Sequence, residues 1–532
     1  MANNGNITVK IDNIKWPINK DFSTLKTKLA GEIRVKPSEI VSFRCLKKSI
    51  DARHKNNIIY NLSYAVEISR PSPKELRIYD EKYKGIEDYL VKNDIRNKHG
   101  KAVIVGSGPS GLFAALTLAY AGVKVILIER GMPASERKVE VDRFKATLEN
   151  LNPNTNIQFG EGGAGTFSDG KLNTGVSSEF INIVLKEFHN SGAKEDILYL
   201  AKPHIGTDYL VRIVENMRNK IIELGGEVYF NTKVDELIIR DGKLEGVKTS
   251  GEHSMVIDTD IAIFAIGHSA RDTFKMLDSS GVNMVNKPFS MGVRIEHLQK
   301  DIGFAQYGKD YPLLPAADYK LSCRLPNGKS LYTFCMCPGG YVVPAASEEG
   351  GVVTNGMSTS DRDGDNANSA ILVNVDENDY GEELFAGVEY QRKYERLAYN
   401  ISNSYKAPCS LLGDFMRGKV SKSFGKIKPT YNGVVFADLR ECLPKHVADT
   451  IRDGVKLLDN KLRGFASEDA VLTGVETRSS SPIRILRDEN FESNIKGLYP
   501  IGEGAGYAGG ITSASVDGIR AALSILRGEK CQ

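Results

Sequence analysis

The chain has 532 residues and a formal net charge of +3, and its length indicates roughly two to four domains. The near balance of basic and acidic residues excludes the charge footprint of a dedicated nucleic-acid binder. Seven scattered cysteines argue against a disulfide framework and predict a reducing, cytoplasmic setting. We expect no secretion signal and no membrane partner, because residues 1–6 lack a charged or apolar leader and no run of about 18 apolar residues occurs.

Residues 1–95 predict a small N-terminal α/β accessory domain. Alternation and helical spacing indicate a strand, a helix and two further strands, over residues 7–14, 22–33, 41–50 and 58–68. Pro71 and Pro73 then interrupt the chain, and a polar helix over residues 83–92 links this unit to the rest.

A basic cluster surrounds the polar turn of residues 51–57 and consists of Lys47, Lys48, Arg53, His54 and Lys55. Runs of like charge are usually solvated, so the simplest interpretation is a hairpin end in water. Contact with RNA or with a phosphate-bearing partner is the alternative.

From Lys101 onward the pattern changes to strands that alternate with amphipathic helices, over residues 101–131, 208–247 and 257–268. Residues 285–380 predict short strands, residues 381–400 a helix and residues 512–527 a final helix. The predicted fold class is α/β, with a Rossmann-like, three-layer ββα cofactor domain, an inserted mixed α+β substrate or cap domain and the small N-terminal unit. The predicted domain boundaries are 1–95, 96–275, 276–488 and 489–532.

Residues 102–111 form a strand that runs into a G-x-G-x-x-G turn, and a helix and a second strand ending at Glu129 follow. Glycines in this turn allow a tight bend, close approach of a pyrophosphate and close helix–strand packing. The helix N-terminus attracts phosphate, and the acid accepts bonds from the ribose while it repels a 2′-phosphate. The turn predicts a bound dinucleotide, either FAD or NAD, contacted by Gly106, Gly108, Pro109, Ser110, Gly111, Glu129 and Arg130.

A second glycine-rich strand–turn–helix spans residues 497–527. It resembles the closing FAD motif of flavoproteins with a glutathione-reductase-type FAD domain. The resemblance implies that an acid bonds the ribityl chain and that the helix N-terminus faces the flavin pyrimidine edge. The residues at these positions are Gly502, Glu503, Gly509, Gly510 and Ile511. The same resemblance implies that backbone at Val234 contacts adenine and that a strand ending near Ala265 and Gly267 passes beneath the FAD.

Four segments, residues 159–172, 333–340, 473–482 and 502–510, resemble a bacterial family called uncharacterised FAD-dependent dehydrogenases or NAD(P)/FAD-dependent oxidoreductases. The resemblance extends over the full length and implies the fold and an FAD, without a substrate. The chain departs from the disulfide reductases, because it has no C-x-x-x-x-C after the first glycine motif. It also lacks a second dinucleotide motif between residues 176 and 500, which leaves NAD(P)H as a transient electron donor at most.

The loop of residues 160–171 is rich in glycine and carries polar side chains. Its backbone N–H groups could lie against pyrophosphate and flavin, or the loop could be a solvated turn. The predicted contacts are Gly163, Gly165, Thr166, Ser168 and Lys171.

Four residues are candidates for catalysis. Cys335 and Cys337 form a C-x-C pair on one face of a strand, which suits a redox disulfide, a nucleophile or two small buried hydrophobes. No metal is expected, since no matching His/Cys pair lies at ligand spacing. His268 suits a proton donor or a structural histidine, and Arg478 suits an anion-binding group or a structural ion pair. Tyr507 is expected to line the isoalloxazine.

These features predict a noncovalent FAD enzyme that moves a hydride between flavin N5 and a small organic substrate. An electron-donor protein is a further candidate partner, and nucleic acid is not expected. Two alternatives remain, an RNA-modifying flavoprotein and a noncatalytic FAD-bound redox sensor that uses the C-x-C pair.

Overall fold

The computed structural model describes residues 6–69, 77–96 and 100–528. The N-terminal unit is an antiparallel sheet in the order β1-β3-β2 with one packed helix. Its elements are β1 (Ile7–Pro17), α1 (Leu25–Ile33), β2 (Ile40–Asp51) and β3 (Ile59–Ile68). Trp16, Leu29 and Val66 lie in its separate apolar core. The four elements agree with the sequence prediction, whereas Pro71 and Pro73 lie outside the described residues.

The basic hairpin end is exposed at Lys47, Arg53, His54 and Lys55, as the solvated interpretation predicts. Two contacts tie the hairpin to the rest of the chain. The Lys48 backbone N–H donates to the Tyr199 carbonyl at 2.7 Å, and Lys55 Nζ donates to the Ala305 carbonyl at 2.6 Å. The N-terminal unit therefore contacts two later segments of the chain, one at Tyr199 and one at Ala305.

The central sheet has five parallel strands in the order β22-β10-β4-β5-β6. A parallel sheet with crossover helices confirms the α/β class expected from the alternating pattern. The elements from residue 86 to residue 279 are α2 (Ile86–Lys92), β4 (Lys101–Val105), α3 (Pro109–Tyr120), β5 (Lys124–Ile128), α4 (Ala134–Thr147), α5 (Phe180–Asn190), α6 (Thr207–Glu223), β6 (Glu227–Tyr229), β7 (Thr232–Arg240), β8 (Lys243–Gly251), β9 (Val256–Asp258), β10 (Ala262–Phe264) and α7 (Arg271–Ser279).

The two faces of the central sheet meet different partners, because successive strand residues point to opposite sides. Ala102 and Ile104 pack in the cluster that contains the helices, α3 foremost. Val103 and Val105 pack in the cluster that contains the antiparallel β7-β8-β9 sheet. The sheet is thus buried on both faces, so a ligand can reach it only at the ends of its strands.

Strands β10 and β22 are neighbours in the central sheet, although most of the chain's C-terminal half lies between them. That intervening part builds a seven-stranded sheet in the order β13-β14-β17-β12-β20-β18-β19, with its own apolar core. The elements are β11 (Met284–Asn286), β12 (Phe289–Leu298), α8 (Gln299–Tyr307), β13 (Ser322–Arg324), β14 (Ser330–Cys337), β15 (Tyr341–Pro344), β16 (Thr354–Met357), β17 (Asn366–Val375), α9 (Glu377–Tyr380), α10 (Ala386–Asn400), β18 (Ala407–Leu411), α11 (Leu412–Arg417), β19 (Val434–Phe436), α12 (Lys445–Asp459), β20 (Val471–Glu476), β21 (Ile483–Ile485), β22 (Leu498–Pro500) and α13 (Ile511–Arg527). The four domain boundaries stay a prediction.

Within the described ranges, no helix has both the length and the apolar character needed to cross a membrane.

Candidate functional site

One long cavity, here called the central cavity, runs from the β4–α3 turn to the seven-stranded sheet. It brings together most of the residues that the two glycine motifs and the 160–171 loop predicted. Those that line it are Gly106, Gly108, Pro109, Ser110, Glu129, Arg130, Gly163, Gly165, Ser168, Lys171, Val234, Ala265, Gly267, Glu503, Gly509, Gly510 and Ile511. Three candidate catalytic residues line it as well, namely His268, Cys335 and Arg478.

The β4–α3 turn requires glycine at two positions. Gly106 has a φ of 99°, and a Cβ there would overlap the Ala265 carbonyl. A Cβ at Gly111 would overlap the Gly106 carbonyl, so Gly111 lies behind the cavity wall and serves close helix–strand packing. Helix α3 begins after Gly108, and no side chain of the described residues caps it. Its first N–H groups are therefore available to a phosphate.

Glu129 ties three segments together at the adenosine end predicted for the cavity. One carboxylate oxygen accepts from Ser107 N at 2.9 Å and from Ser107 Oγ at 2.7 Å. The other accepts from Gly131 N at 3.0 Å and from Gly160 N at 3.1 Å. Glu129 thus positions the glycine turn and the 160–171 loop, in addition to the ribose contact that the sequence predicts.

Arg137 shapes the 160–171 loop, and it was not among the residues predicted for the site. Its guanidinium is fully buried and lies 4.8 Å from the Phe167 ring centroid. It donates to five backbone carbonyls at 2.7–3.1 Å, those of Asn156, Ile157, Gly160, Glu161 and Gly163. One buried side chain therefore holds the start of the loop and the segment just before it.

Glu503 lines the other end of the cavity. Burial raises the pKa of its carboxyl to about 7, against the opposing effect of Lys287. Across the described ranges, no donor forms a hydrogen bond with this side chain, so the carboxyl is open to a ligand. Its turn is held from behind, since Gly502 N donates to Asp517 Oδ2 at 2.7 Å and Asp517 pairs with Arg487 at 2.7 Å.

Besides Gly111 and Cys337, three predicted residues lie outside the cavity for identifiable reasons. Gly502 has a φ of 75°, and a Cβ there would overlap the Ser110 hydroxyl, so it is a packing glycine. Thr166 is buried, and its carbonyl accepts from Thr207 Oγ1 at 2.7 Å. Tyr507 was expected at the isoalloxazine, but its ring stacks on the Arg487 guanidinium 3.8 Å away and is 38% exposed.

His268 is held neutral. Burial, followed by the nearby cations Arg478 and Arg271, lowers the pKa of the ring to about 3. The Ser269 hydroxyl lies 3.0 Å from its Nδ1. At neutral pH this ring has no imidazolium proton to donate, so it fits the structural interpretation better than the proton-donor one.

Arg478 forms the structural ion pair that the sequence left as one alternative. It donates to both carboxylate oxygens of Glu395, at 3.0 and 2.9 Å, and to Ser269 Oγ at 3.1 Å. Ser347 Oγ accepts a further bond. Arg271 shares Glu395 from the opposite side at 3.0 and 2.9 Å. Arg478 still lines the cavity, so it presents a rigid positive wall there.

Cys335 and Cys337 occupy different positions. Cys335 lines the cavity, whereas Cys337 is fully buried behind it. A register shift between Phe334 and Cys337 interrupts the pairing of β14 with β17, so the regular alternation expected for the C-x-C pair is broken. Both are free thiols.

Three parts of the chain match known families. Residues 100–140 match "FAD binding domain", residues 288–479 match "FAD-dependent protein, C-terminal domain-like", and residues 8–67 match a domain of unknown function. FAD fits the observed residues, which offer the uncapped α3 N-terminus, a glycine-lined wall where Gly163 approaches Gly108, and the unpartnered Glu503 carboxyl. The fold and site define an FAD-dependent flavoprotein.

The chain is 44% identical over 534 residues to a Clostridium beijerinckii chain named "Uncharacterized protein". The alignment covers 98% of this chain and 99% of the relative. It belongs to the same family as that protein. It is also 27% identical over 201 residues to "Protein FixC" of Escherichia coli, over 37% of this chain and 42% of that protein. A solved flavin-dependent brominase, Bmp2, aligns with 81% of this chain and 80% of its own at 13% identity, with a TM-score of 0.39.

Proposed function

We propose that this flavoprotein is an oxidoreductase that moves a hydride between N5 of a noncovalent FAD and a small organic substrate. The supporting observation is the continuity of the central cavity. It runs from the two glycine motifs to a polar end contributed by the seven-stranded sheet region, at Cys335, Glu476 and Arg478. Flavin supplies the hydride chemistry, and the protein supplies binding, orientation and electrostatics.

The chain's residues would hold the cofactor along the length of the cavity. The α3 N-terminus would bind the pyrophosphate, Glu129 the adenosine ribose and Glu503 the ribityl chain. Helix α13 begins after Gly510, and none of the described side chains caps it. Its positive end would favour negative charge on the pyrimidine edge of the reduced ring system.

The substrate end is rigid and charged. Four of the five N–H groups of Arg478 already have acceptors, so its orientation is fixed before substrate binds. Lys171 stands near Asp169 at 3.3 Å on the other wall. Such fixed charges would orient a polar substrate. Both dehydrogenation and double-bond reduction fit this arrangement.

Two kinds of electron donor fit the proposal. NAD(P)H would act as a transient donor, or an electron-donor protein would take its place. The six cysteines in the described ranges are free thiols, which suits the reducing cytoplasm that we propose as the setting.

The test is anaerobic reduction of the purified holoprotein by a panel of donors that includes NADH and NADPH, with dithionite as the chemical control. We expect at least one biological donor to bleach the flavin and one organic acceptor to restore its colour. Arg478→Lys should slow the organic half-reaction while FAD content stays unchanged. A flavin that responds to dithionite, but to no donor or acceptor, would contradict the proposal.

A further inference from the structure

The two thiols of β14 are brought together by an irregular strand. Residues i and i+2 of a regular strand are about 6.6 Å apart, near the upper limit of about 6.8 Å for the Cα atoms of a disulfide. Cys335 has a φ of 43°, in the left-handed region, and the register shifts between Phe334 and Cys337. A bulge of this kind bends the strand and re-aims its side chains.

The pair consists of one accessible thiol and one thiol behind it. Cys335 is partly exposed to the central cavity, whereas Cys337 is fully buried. Cys337 Sγ donates to the Cys335 carbonyl at 3.3 Å. Glycine makes room for it, since a Cβ at Gly356 would come within 2.9 Å of that sulfur. This order, accessible sulfur first and shielded sulfur second, is what an attacking and a resolving cysteine need.

Arg294 and Lys171 act on the pair from one side, and the carboxylates Glu476 and Asp169 also lie near it. Arg294 Nη1 donates to the Cys335 carbonyl at 2.8 Å, and its guanidinium is fully buried. A hydrogen bond between the two thiol side chains lowers the pKa of Cys335, and so do the charges of Arg294 and Lys171, against the opposing effects of burial and Asp169. A low pKa and partial exposure are the marks of a reactive cysteine.

The remaining cysteines differ in these respects. Burial raises the pKa of Cys409 and Cys442, and both lie in the core. Cys45 and Cys323 lie away from the central cavity, and burial raises their pKa values as well. Over the described ranges, Cys335 is therefore the one thiol that combines cavity access with a lowered pKa.

We propose that Cys335 and Cys337 form a dithiol–disulfide couple that reduces a small disulfide substrate. This inference deepens the proposed function and rests on it for the supply of electrons. The Cys335 thiolate attacks one substrate sulfur, so that a mixed disulfide forms and the other sulfur leaves as a thiolate. Cys337 then loses its proton and attacks Cys335 Sγ, which forms the intramolecular disulfide and releases the second thiol. Return to the dithiol takes up two electrons and two protons from the reduced flavin of the proposed function.

The experiment uses the full-length holoprotein and 5,5′-dithiobis(2-nitrobenzoate) as the probe disulfide. The protein is reduced, freed of reductant and exposed to limiting probe under argon. It is then unfolded in urea that contains iodoacetamide, so that every free thiol is alkylated, and digested for mass spectrometry. We expect wild-type protein to lose alkylation at both Cys335 and Cys337 through an internal disulfide. Cys337→Ser should stop at a thionitrobenzoate adduct on Cys335, and Cys335→Ser should lose rapid exchange. Cys323→Ser is the matched control and should behave as wild type.

Alkylation of both cysteines in wild-type protein after probe treatment, or no adduct on Cys335 in Cys337→Ser, would overturn the inference. FAD content and donor-driven bleaching are measured on the same samples. If no internal disulfide forms but donors bleach the flavin normally, only the dithiol couple is refuted. If the disulfide forms but no donor reduces the flavin, the exchange step is supported and the proposed supply of electrons is refuted.

Discussion

Arg294 and Glu476 are joined by two hydrogen bonds of 2.8 and 3.0 Å, although 182 residues separate them in the chain. The pairing of β12 with β20 brings them together, and Glu476 lines the central cavity with Arg294 buried behind it. Arg294 is fully buried and also donates to Asn355 Oδ1 at 2.8 Å. Burial raises the pKa of Glu476, whereas the adjacent guanidinium lowers it. Because Arg294 also donates to the Cys335 carbonyl at 2.8 Å, the pair anchors β14 at Cys335.

We expect Arg294→Met to lower the free energy of unfolding by about 3–5 kcal/mol, because it leaves Glu476 buried without its partner. Arg294→Lys should recover little, since an ammonium cannot form two parallel bonds with a carboxylate. Urea unfolding measures both effects. Arg440→Met, which breaks an exposed pair with Asp438, is the control and should leave the midpoint nearly unchanged. Equal losses in Arg294→Met and Arg440→Met would contradict this account.

Arg137→Met should reduce FAD retention without touching the cofactor. The substitution removes a donor from five carbonyls of the 156–163 segment, although those of Gly160 and Glu161 keep a second donor. Each buried carbonyl left unsatisfied costs about 1–3 kcal/mol. Hydrogen exchange should rise in that segment, and equilibrium dialysis should show weaker FAD binding. Lys138→Met lies on the same helix at an exposed pair with Asp142 and should change neither quantity. Unchanged exchange in Arg137→Met would mean that the loop is shaped by other contacts.

Glu161 should make the protein less stable as pH rises. Burial raises the pKa of its carboxyl to about 7, and one oxygen has no hydrogen-bond partner within the described ranges. The unfolded value is about 4.3, so the folded state binds more protons in between, and this contribution to stability is lost as pH rises through about 7. Urea midpoints of Glu161→Gln should lack that component of the decline. Glu179→Gln, an exposed control, should follow wild type, and parallel curves for Glu161→Gln and wild type would refute the assignment.

At about pH 8.5, above the raised pKa of Glu503, Glu129→Gln and Glu503→Gln should each weaken FAD binding about tenfold to a hundredfold. Each substitution removes charge-assisted hydrogen bonds of about 1.5–3 kcal/mol. They act at opposite ends of one proposed ligand, and fluorescence titration of FAD-depleted protein measures both. Glu227→Gln, at an exposed pair with Lys124 on the neighbouring strand, is the matched control. If only one of the two variants loses affinity, the site does not have two acidic ends.

The sequence predicts the first half of the site well because its parts are contiguous. Strand, glycine turn, helix and acid follow one another over residues 101–129, and each has a local pattern that the structure bears out. Arg137 could not be assigned in this way. Its acceptors are backbone carbonyls, whose positions depend on the folded loop and leave no mark in side-chain identity. The Arg294–Glu476 pair is hidden for a similar reason, since it depends on the register between β12 and β20.

Local regularity left two further features of the site undetermined. Tyr507 lies within the closing glycine motif, but the Arg487 side chain, anchored by Asp517, attracts its ring away from the cavity. The C-x-C spacing suggested two equivalent thiols on one strand face. A bulge at Cys335 makes them unequal, and nothing in the two-residue spacing indicates a bulge.

Identification of the flavin released from native protein tests the central claim most directly. Purified protein is heated or treated with acid, and the released compound is separated by chromatography and quantified against protein. We expect the released compound to be FAD that was bound noncovalently, at about one molecule per chain. Release of FMN or NAD, or no flavin from folded protein supplied with FAD, would contradict it.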